Sequence, residues 1–379
     1  MSPIRVGLVG LGPKHTGAVT PGAWSSIAHI PSIQLLPAYE LVAVANSTAE
    51  SARKAIAEHG LPASVKAYGS AEDLANDPDV DLVVVSVRVG KHFQLSKPAI
   101  LKKKDILVEW PLGASLEESE ELTRLAAANG VKTAMGLQGV AGKLALKMRE
   151  LVAGGKIGRV LSTSVSSSSS FVTKHGWVQG AEYILDMNSG GNDFWIIFGH
   201  FLHSFIDVLG DFSELQAMMK THYTDITIRG PDGQVVNPAY KRTSPDDILV
   251  HGILESGATA SLNFFKSETP VADKRAFVWR ITGTEGEIEL ASPEFRWQGG
   301  HPEAQITMRI GRSGKPEKVE LEAQDPAIAA NVPQQGQNTA LIYEAWAKGD
   351  SSRYATFEQA TKTHRLLQRI VEATPGFNV

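Results

Sequence analysis

The sequence predicts an α/β chain in two parts, an N-terminal doubly wound domain on a parallel sheet and a C-terminal α+β domain with a large, mainly antiparallel open sheet. Three observations carry this. From residue 4 to about 139, short β-branched apolar runs alternate with amphipathic stretches, as parallel strands buried on both faces and joined by helical crossovers require. A glycine-rich turn, "VGLVGLG", closes the first of those runs. After about residue 140 the strands lengthen and become alternating or turn-bounded, the pattern of antiparallel pairing. The division falls at 1–139 and 140–379, with the C-terminal helix packing back on the first domain.

In order, the first domain reads "IRVGLVG" as strand, "WSSIAHIPSI" as helix, "ELVAVAN" as strand, "AESARKAIAEHG" as helix and "VDLVVVSV" as strand. There follow "HFQLSKPAILKKK" as helix, "DILVEWP" as strand, "SLEESEELTRLAAANG" as helix and "VKTAMGLQG" as strand. Ser115 precedes Glu118 at capping-box spacing. In the second domain a helix, "GKLALKMRELVAGGKIG", leads into strands "RVLSTSVSSSSSF", "ELQAMMKTHYTDITI", "DILVHGILESGATASLNFFKS", "AFVWRITGTEGEIEL" and "ITMRIGRSGKPEKVELE". Gly233 and Gly257 sit where hairpin turns need positive φ. The serines at 166–170 read either as a linker or as a strand end lining a pocket. "NTALIYEAWAKGD" and "TFEQATKTHRLLQRIVEAT" are amphipathic helices.

With 379 residues, 42% hydrophobic and 21% charged, the chain has the make-up of a globular protein large enough for two cores. A net charge of −4 offers no basic field to a nucleic acid, and the lysines at 102, 103 and 104 read as a solvated helix end. The absence of cysteine excludes disulfides, thiolate nucleophiles and thiolate metal sites. "MSPIRVGLVG" is neither a signal peptide nor a membrane span, so the expectation is a cytoplasmic protein with no membrane partner. The triplet Asn46, Ser47, Thr48 then matches a glycosylation acceptor by accident.

The turn Gly10, Leu11, Gly12 has the composition of a dinucleotide site of the Rossmann type: glycine lets the backbone turn tightly and approach a pyrophosphate with no Cβ in the way. The bare alternative is an ordinary strand-to-helix turn. The third glycine of the usual fingerprint falls on His15, the next being Gly17, and the long loop before Trp24 leaves Lys14 or His15 to supply a charge. At the end of the second strand, Asn46, Ser47 and Thr48 stand where an acid would hold the adenosine 2'-hydroxyl. With no carboxylate until Glu50, and with Arg53 and Lys54 on the following helix, the pattern points to NADP over NAD.

The order "GLVGLG", "VVVSVRVGKH", "ILVEWPLG", "GLQG", "GKIGRV", "GGNDFWIIFGHFLHSFIDVLG", "ITGTEGEIEL" resembles the glucose-fructose oxidoreductase, inositol dehydrogenase and rhizopine-catabolism family across nearly the whole chain. "VEWPLG", "GLQG" and "FGH" are similar to the family's fungal galactose-regulon repressor branch. The resemblance implies a nicotinamide dinucleotide cofactor, with Gly10 and Gly12 facing its pyrophosphate. It places Val87, Arg88 and His92 beside the nicotinamide ribose, Glu109 on that ribose and Gln138 near the nicotinamide. It further implies a cis Trp110-Pro111 bond and face-to-face assembly into a homodimer or higher homo-oligomer.

Two departures stand out. Trp110 occupies the position matched to the family's lysine, and the family's aspartate falls on Trp195 or Ile196. An indole N–H only donates, so Trp110 cannot shuttle a proton, although it can stack on a ring. His200, matching the family's histidine, reads as general acid or base, or as a polar residue satisfied at a domain junction. His203, Asp207 and Asp193 share its neighbourhood by helical spacing. Trp177, Tyr183, Asp186 and Lys174 lie in the segment expected to line a substrate pocket. His200 and His203 lack a third ligand at matched spacing, so no metal is expected. The chain therefore reads as an NAD(P)-dependent oxidoreductase for a sugar, polyol or related small substrate, or as an inactive dinucleotide-binding regulator.

Overall fold

The structure, a computed structural model, describes residues 2–15, 22–172, 176–269 and 271–377. The chain divides into two compact units, Met1–Ala141 with Ala323–His364 and Gly142–Glu322 with Arg365–Val379. The first unit is built on a six-stranded, all-parallel sheet of β1 (Ile4–Val9), β2 (Tyr39–Ala45), β3 (Lys66–Tyr68), β4 (Leu82–Val85), β5 (Asp105–Val108) and β6 (Thr133–Met135), in the order β3-β2-β1-β4-β5-β6. Val6, Leu8, Val84 and Val108 have no exposed surface, which is why these runs carry no polar alternation.

Helices α1 (Ile30–Leu35), α2 (Ala49–Glu58), α3 (Ala71–Asn76), α4 (His92–Leu101) and α5 (Leu116–Asn129) connect the strands. Ser115 caps α5, its Oγ accepting from Glu118 N, while Glu118 Oε2 accepts from Ala114 N, one residue before the cap, and not from Ser115 N as a full capping box would have it. A π-helical turn, Ser25–His29, leads directly into α1.

The second unit opens with α6 (Lys143–Ala153) and contains α7 (Gly199–Leu209), preceded by a π-helical turn over Phe194–Phe198. Its strands are β7 (Val160–Ser169), β8 (Trp177–Val178), β9 (Phe212–Lys220), β10 (Asp225–Arg229), β11 (Val235–Lys241), β12 (Asp247–Leu254), β13 (Thr259–Lys266), β14 (Phe277–Gly283), β15 (Gly286–Ser292), β16 (Gln305–Ile310) and β17 (Glu317–Lys318). They form an eight-stranded sheet, β17-β16-β15-β14-β7-β13-β12-β9, and a three-stranded one, β11-β10-β8. The large sheet is antiparallel except where β7 runs parallel to β13.

The serine run is strand: β7 is a central strand whose Ser164 and Ser166 pair with Arg280 and Val278 of β14. "ELQAMMKTHYTDITI" is two strands, one in each sheet. The break has a cause at Asp246, whose buried carboxylate accepts from His222 N and Tyr223 N at 2.7 Å each and so turns the backbone out of the large sheet. Gly233 and Gly257 do adopt positive φ, 79° and 85°. The core of this unit is aromatic, with Phe201 and Phe205 each packed on fully buried Trp279 at 5.7 and 5.8 Å between ring centres. The chain ends in α8 (Pro326–Asn331), α9 (Gln337–Lys348) and α10 (Phe357–Glu372). Ile342, Tyr343 and Trp346 of α9 join the core around Val6, Leu8 and Leu82.

Three histidines are buried with depressed pKa. Burial lowers His92, takes His203 to about 3 and takes His364 to about 4, all from 6.5. The unfolded chain takes up protons near 6.5 that the folded state refuses, so stability is full above that pH and is lost as the pH falls below it. Each such site contributes at most about 1.4 kcal/mol per pH unit. The melting temperature is expected to fall steadily between about pH 6.5 and 4, with a shallower fall for His203→Phe. Identical slopes in thermal scans of the two proteins would exclude His203 as a cause.

Candidate functional site

β1 and β4 are neighbours, and their crossovers leave toward opposite edges, which opens a crevice at their C-terminal ends. Gly10 lies at that point with φ 96°. A Cβ there would come within 2.4 Å of Val87 Cγ1 and 2.5 Å of the Ser86 carbonyl, so no other residue fits. Ser25 Oγ donates to the Gly10 carbonyl at 2.5 Å. Asn46 clamps the turn from the end of β2: its Oδ1 accepts from Leu11 N and its Nδ2 donates to Leu11 O, both at 2.9 Å. The Gly12 carbonyl lies 3.0 Å from His59 Nε2, and His15 N donates to Ser26 Oγ. Lys14, Ser47 and Arg88 are exposed. The structure thus brings Gly10, Leu11, Gly12, Asn46 and Val87 into one cradle. The sequence did not reveal that the Asn46 amide is engaged by the loop itself. Gly17 lies outside the described residues.

At the end of β5 the Trp110-Pro111 bond is cis, as the resemblance implied, and Trp110 is buried edge-on to His364 at 6.1 Å. Glu109 is 9% exposed, and its carboxylate lies against Gly136, where a Cβ would come within 2.2 Å of Oε2. His29 Nε2 stands 3.0 Å from Glu109 Oε1. The two are at ion-pair distance, yet neither atom makes an aligned hydrogen bond, so both keep capacity for a ligand. His29 Nδ1 is 2.9 Å from the hydroxyl of Tyr343. Burial pushes that hydroxyl pKa well up, so it stays protonated. With Tyr343 as donor, Nδ1 accepts and Nε2 carries the hydrogen that faces Glu109. Neither His29 nor Tyr343 was singled out in the sequence, where they stand 314 residues apart. His92 sets both ring nitrogens against backbone, Pro111 O at 2.6 Å and Val87 O at 3.0 Å, and so ties the two strand-end loops together. Gln138 Oε1 and Trp24 Nε1 are buried with no hydrogen-bond partner.

In the second unit, His200 is half-buried, and its carbonyl accepts from Gln298 Nε2 at 2.8 Å. His203 is buried in the core, and Asp207 pairs with Arg149 at 3.2 Å. Asp186 is exposed and caps a short turn through Asn188 N. Trp177 donates to Ala181 O and packs edge-on to Phe171 beside a small core of Val172, Ile184, Leu185, Ile226 and Ile228. Tyr183 lies in a 3-10 turn, Glu182–Leu185, and Lys174 lies outside the described residues. Asp193 lines a cavity with Ser167, Ser169, Phe171, Phe295 and Lys266. Lys266 Nζ is 2.5 Å from Asp193 Oδ2, and Arg242 lies 3.7 Å from the same oxygen. Burial lowers the Lys266 pKa against the pull of Asp193. Lys266 and Arg242 went unremarked in the sequence, although a lysine directly after "NFF" at a strand end is a charge in an apolar run. Among the described residues no group of His, Asp and Glu is placed to hold a metal ion, and no helix is long and apolar enough to cross a membrane.

A parallel sheet with a Cβ-free turn at its switch point and a buried strand-end glutamate defines a dinucleotide-binding fold of oxidoreductase type. Residues 4–137 match the family model described as "Oxidoreductase family, NAD-binding Rossmann fold", and residues 144–292 match "Gal80p, C-terminal domain". Dehydrogenase aclE of Aspergillus oryzae is 30% identical over 376 residues, 98% of this chain and 96% of that protein. The galactose/lactose metabolism regulatory protein GAL80 of Kluyveromyces lactis is 29% identical over 299 residues, 76% of this chain and 64% of its own length. The crystal structure of the Kluyveromyces lactis transcriptional regulator Gal80p has a TM-score of 0.80 at 26% identity, covering 98% of this chain and 89% of that one. The chain belongs to the glucose-fructose oxidoreductase, inositol dehydrogenase and rhizopine-catabolism oxidoreductase family, with a second part of the Gal80p C-terminal type.

Two substitutions test this cradle. Asn46→Ala removes both bonds to Leu11 and is expected to destabilise the first unit by about 1–2 kcal/mol and to weaken dinucleotide binding. A melting temperature within error of wild type would show that the turn holds without its clamp. His29→Leu leaves the Glu109 carboxylate buried without its nearest donor, and dinucleotide affinity is expected to drop about tenfold. Fluorescence titration reads this, and unchanged affinity would mean that the strand end alone positions Glu109.

Proposed function

We propose that the protein is an NAD(P)-dependent oxidoreductase acting on a sugar, polyol or related small carbohydrate-like substrate, with NADP preferred to NAD. The observation that supports it most is the fit of the strand-end cradle to a dinucleotide: a turn that admits no Cβ, a buried carboxylate with an open acceptor, and an unpartnered amide oxygen at Gln138. When bound, the nicotinamide would supply the hydride acceptor or donor. Gly10, Leu11 and Gly12 would admit the pyrophosphate, Lys14 and His15 would face its charge, and Glu109 would accept from a ribose hydroxyl. Val87, Arg88 and His92 would border the nicotinamide ribose, with Gln138 near the carboxamide. Trp110 keeps the matched lysine's place as an apolar wall and gives up its proton chemistry. In this reading residues 1–139 bind cofactor and 140–379 bind substrate, with His200 as acid or base and Trp177, Tyr183, Asp186, Asp193 and His203 on the substrate side. The NADP preference is supported by the lack of a carboxylate at the end of β2, beside Ser47, and by exposed Arg53 and Lys54 on α2.

For assembly we propose a homodimer, supported by exposed Met218 and Ile253 on the large sheet, 63% and 40% accessible. The proposed setting is the cytoplasm, with no nucleic-acid or membrane partner. A second reading, a regulator in which the dinucleotide shifts affinity for a protein partner, is favoured by Trp110 and by the Gal80p-type second part.

Titration with NADPH and NADH by protein fluorescence, followed by absorbance at 340 nm over a panel of sugars and polyols, separates the two. Tighter NADPH binding with turnover lost in His200→Ala is the outcome expected of the enzyme. Binding without turnover of any panel member, in either direction, would leave the regulator.

A further inference from the structure

Among the buried charges of the second unit, Asp193 keeps an oxygen that no structural contact uses. Asp193 and Lys266 each have a side chain 8% accessible, and Arg242 is wholly buried. Arg242 is satisfied, donating to Ser244 O, Val172 O and Pro245 O. Lys266 Nζ is ion-paired with Asp193 Oδ2 and donates to Phe171 O. An ammonium has three hydrogens, and no described group takes the third. Asp193 Oδ1 is buried with no hydrogen-bond partner, and Asp193 and Lys266 both line the same cavity. A buried carboxylate oxygen without a partner is costly, so its open position calls for a ligand.

The chemistry of that ligand follows from what is open. One acceptor and one donor side by side match a hydroxyl group, which gives one hydrogen bond and receives another. A carboxylate ligand would be repelled by Asp193 and a cation by Lys266. The walls of the cavity are the rings of Phe171, Phe198, Phe264, Phe265 and Phe295, a lining suited to the apolar face of a ring.

From this we infer that the cavity is a binding site for a neutral, hydroxyl-bearing ring, held by Asp193 and Lys266 through one hydroxyl and by Phe171 and Phe295 through its face. The inference rests on the substrate class proposed above and names the residues that select it. Ser167 and Ser169 at the end of β7 supply further hydroxyls to the same cavity.

The test uses the full chain saturated with NADPH and saturation-transfer NMR with myo-inositol, D-glucose and D-gluconate as probes. Wild type is expected to bind a neutral probe and to reject gluconate. The double variant D193L/K266M removes donor and acceptor together and swaps a buried ion pair for apolar side chains, a change proteins tolerate well. It is expected to lose the neutral probe at least tenfold while NADPH affinity holds. Phe295→Ala is expected to weaken the neutral probe about tenfold with the ion pair intact. If wild type binds or turns over a neutral probe and both variants match it, the site is elsewhere and this inference falls while the oxidoreductase stands. Preference for gluconate would overturn it as well. Binding of no neutral probe by wild type would remove both the inference and the substrate class.

Discussion

The close approach of Gly10 to the end of β4 is the contact on which the cofactor side of the molecule depends. Because β1 and β4 lie side by side in the sheet, the backbone leaving β1 passes so near Ser86 and Val87 that a Cβ would fall inside both. Sterics alone fix the residue. The loop that follows cannot hold itself in place, since a glycine-rich turn has more freedom to lose than any other segment. Asn46 and Ser25 supply the missing constraint from two other elements, each through a hydrogen bond to loop backbone. Bonds of this kind contribute about 1 kcal/mol apiece, comparable with the ordering cost of a residue or two.

Both units set a buried carboxylate beside a nitrogen base, and they do so differently. Glu109 faces a histidine whose other nitrogen lies against a tyrosine hydroxyl. Asp193 meets an ammonium whose charge is disfavoured by burial and sustained by that same carboxylate. Neither arrangement is an efficient source of stability, because removing two charges from water offsets most of what their attraction returns. Their value lies in holding an acceptor atom open in a dry place, where a hydrogen bond to a ligand is stronger than it would be at the surface.

Much of this was legible in the chain. The strands of the first sheet announce themselves as β-branched runs because both of their faces are covered, and Ser115 announces α5 because its cap is local. Pairing in the second sheet was harder to read. The break between β9 and β10 comes from Asp246, more than twenty residues downstream, and no property of "KTHYTD" signals it. Gly10 with Val87, and Leu11 with Asn46, come into contact in the structure. Their supports do not appear in the sequence, since His29 and Tyr343 have meaning only once a fold brings positions 314 apart into contact. The π-turn over Phe194–Phe198 has a similar effect: its wide turn, closed by Phe198 N on Asp193 O, adds a residue to the helix register and undoes spacing arguments drawn from Asp193 to His200.

Trp110 places a buried apolar side chain directly after Glu109, and this bears on the electrostatics of the strand end. A lysine beside a glutamate at the end of β5 would neutralise that carboxylate and compete for its oxygens. An indole does neither. With Trp110 buried there, His29 stands 3.0 Å from Glu109, and its other ring nitrogen lies against the Tyr343 hydroxyl. The Glu109 carboxylate is thus left with an acceptor oxygen that neither an ammonium nor an aligned hydrogen bond occupies.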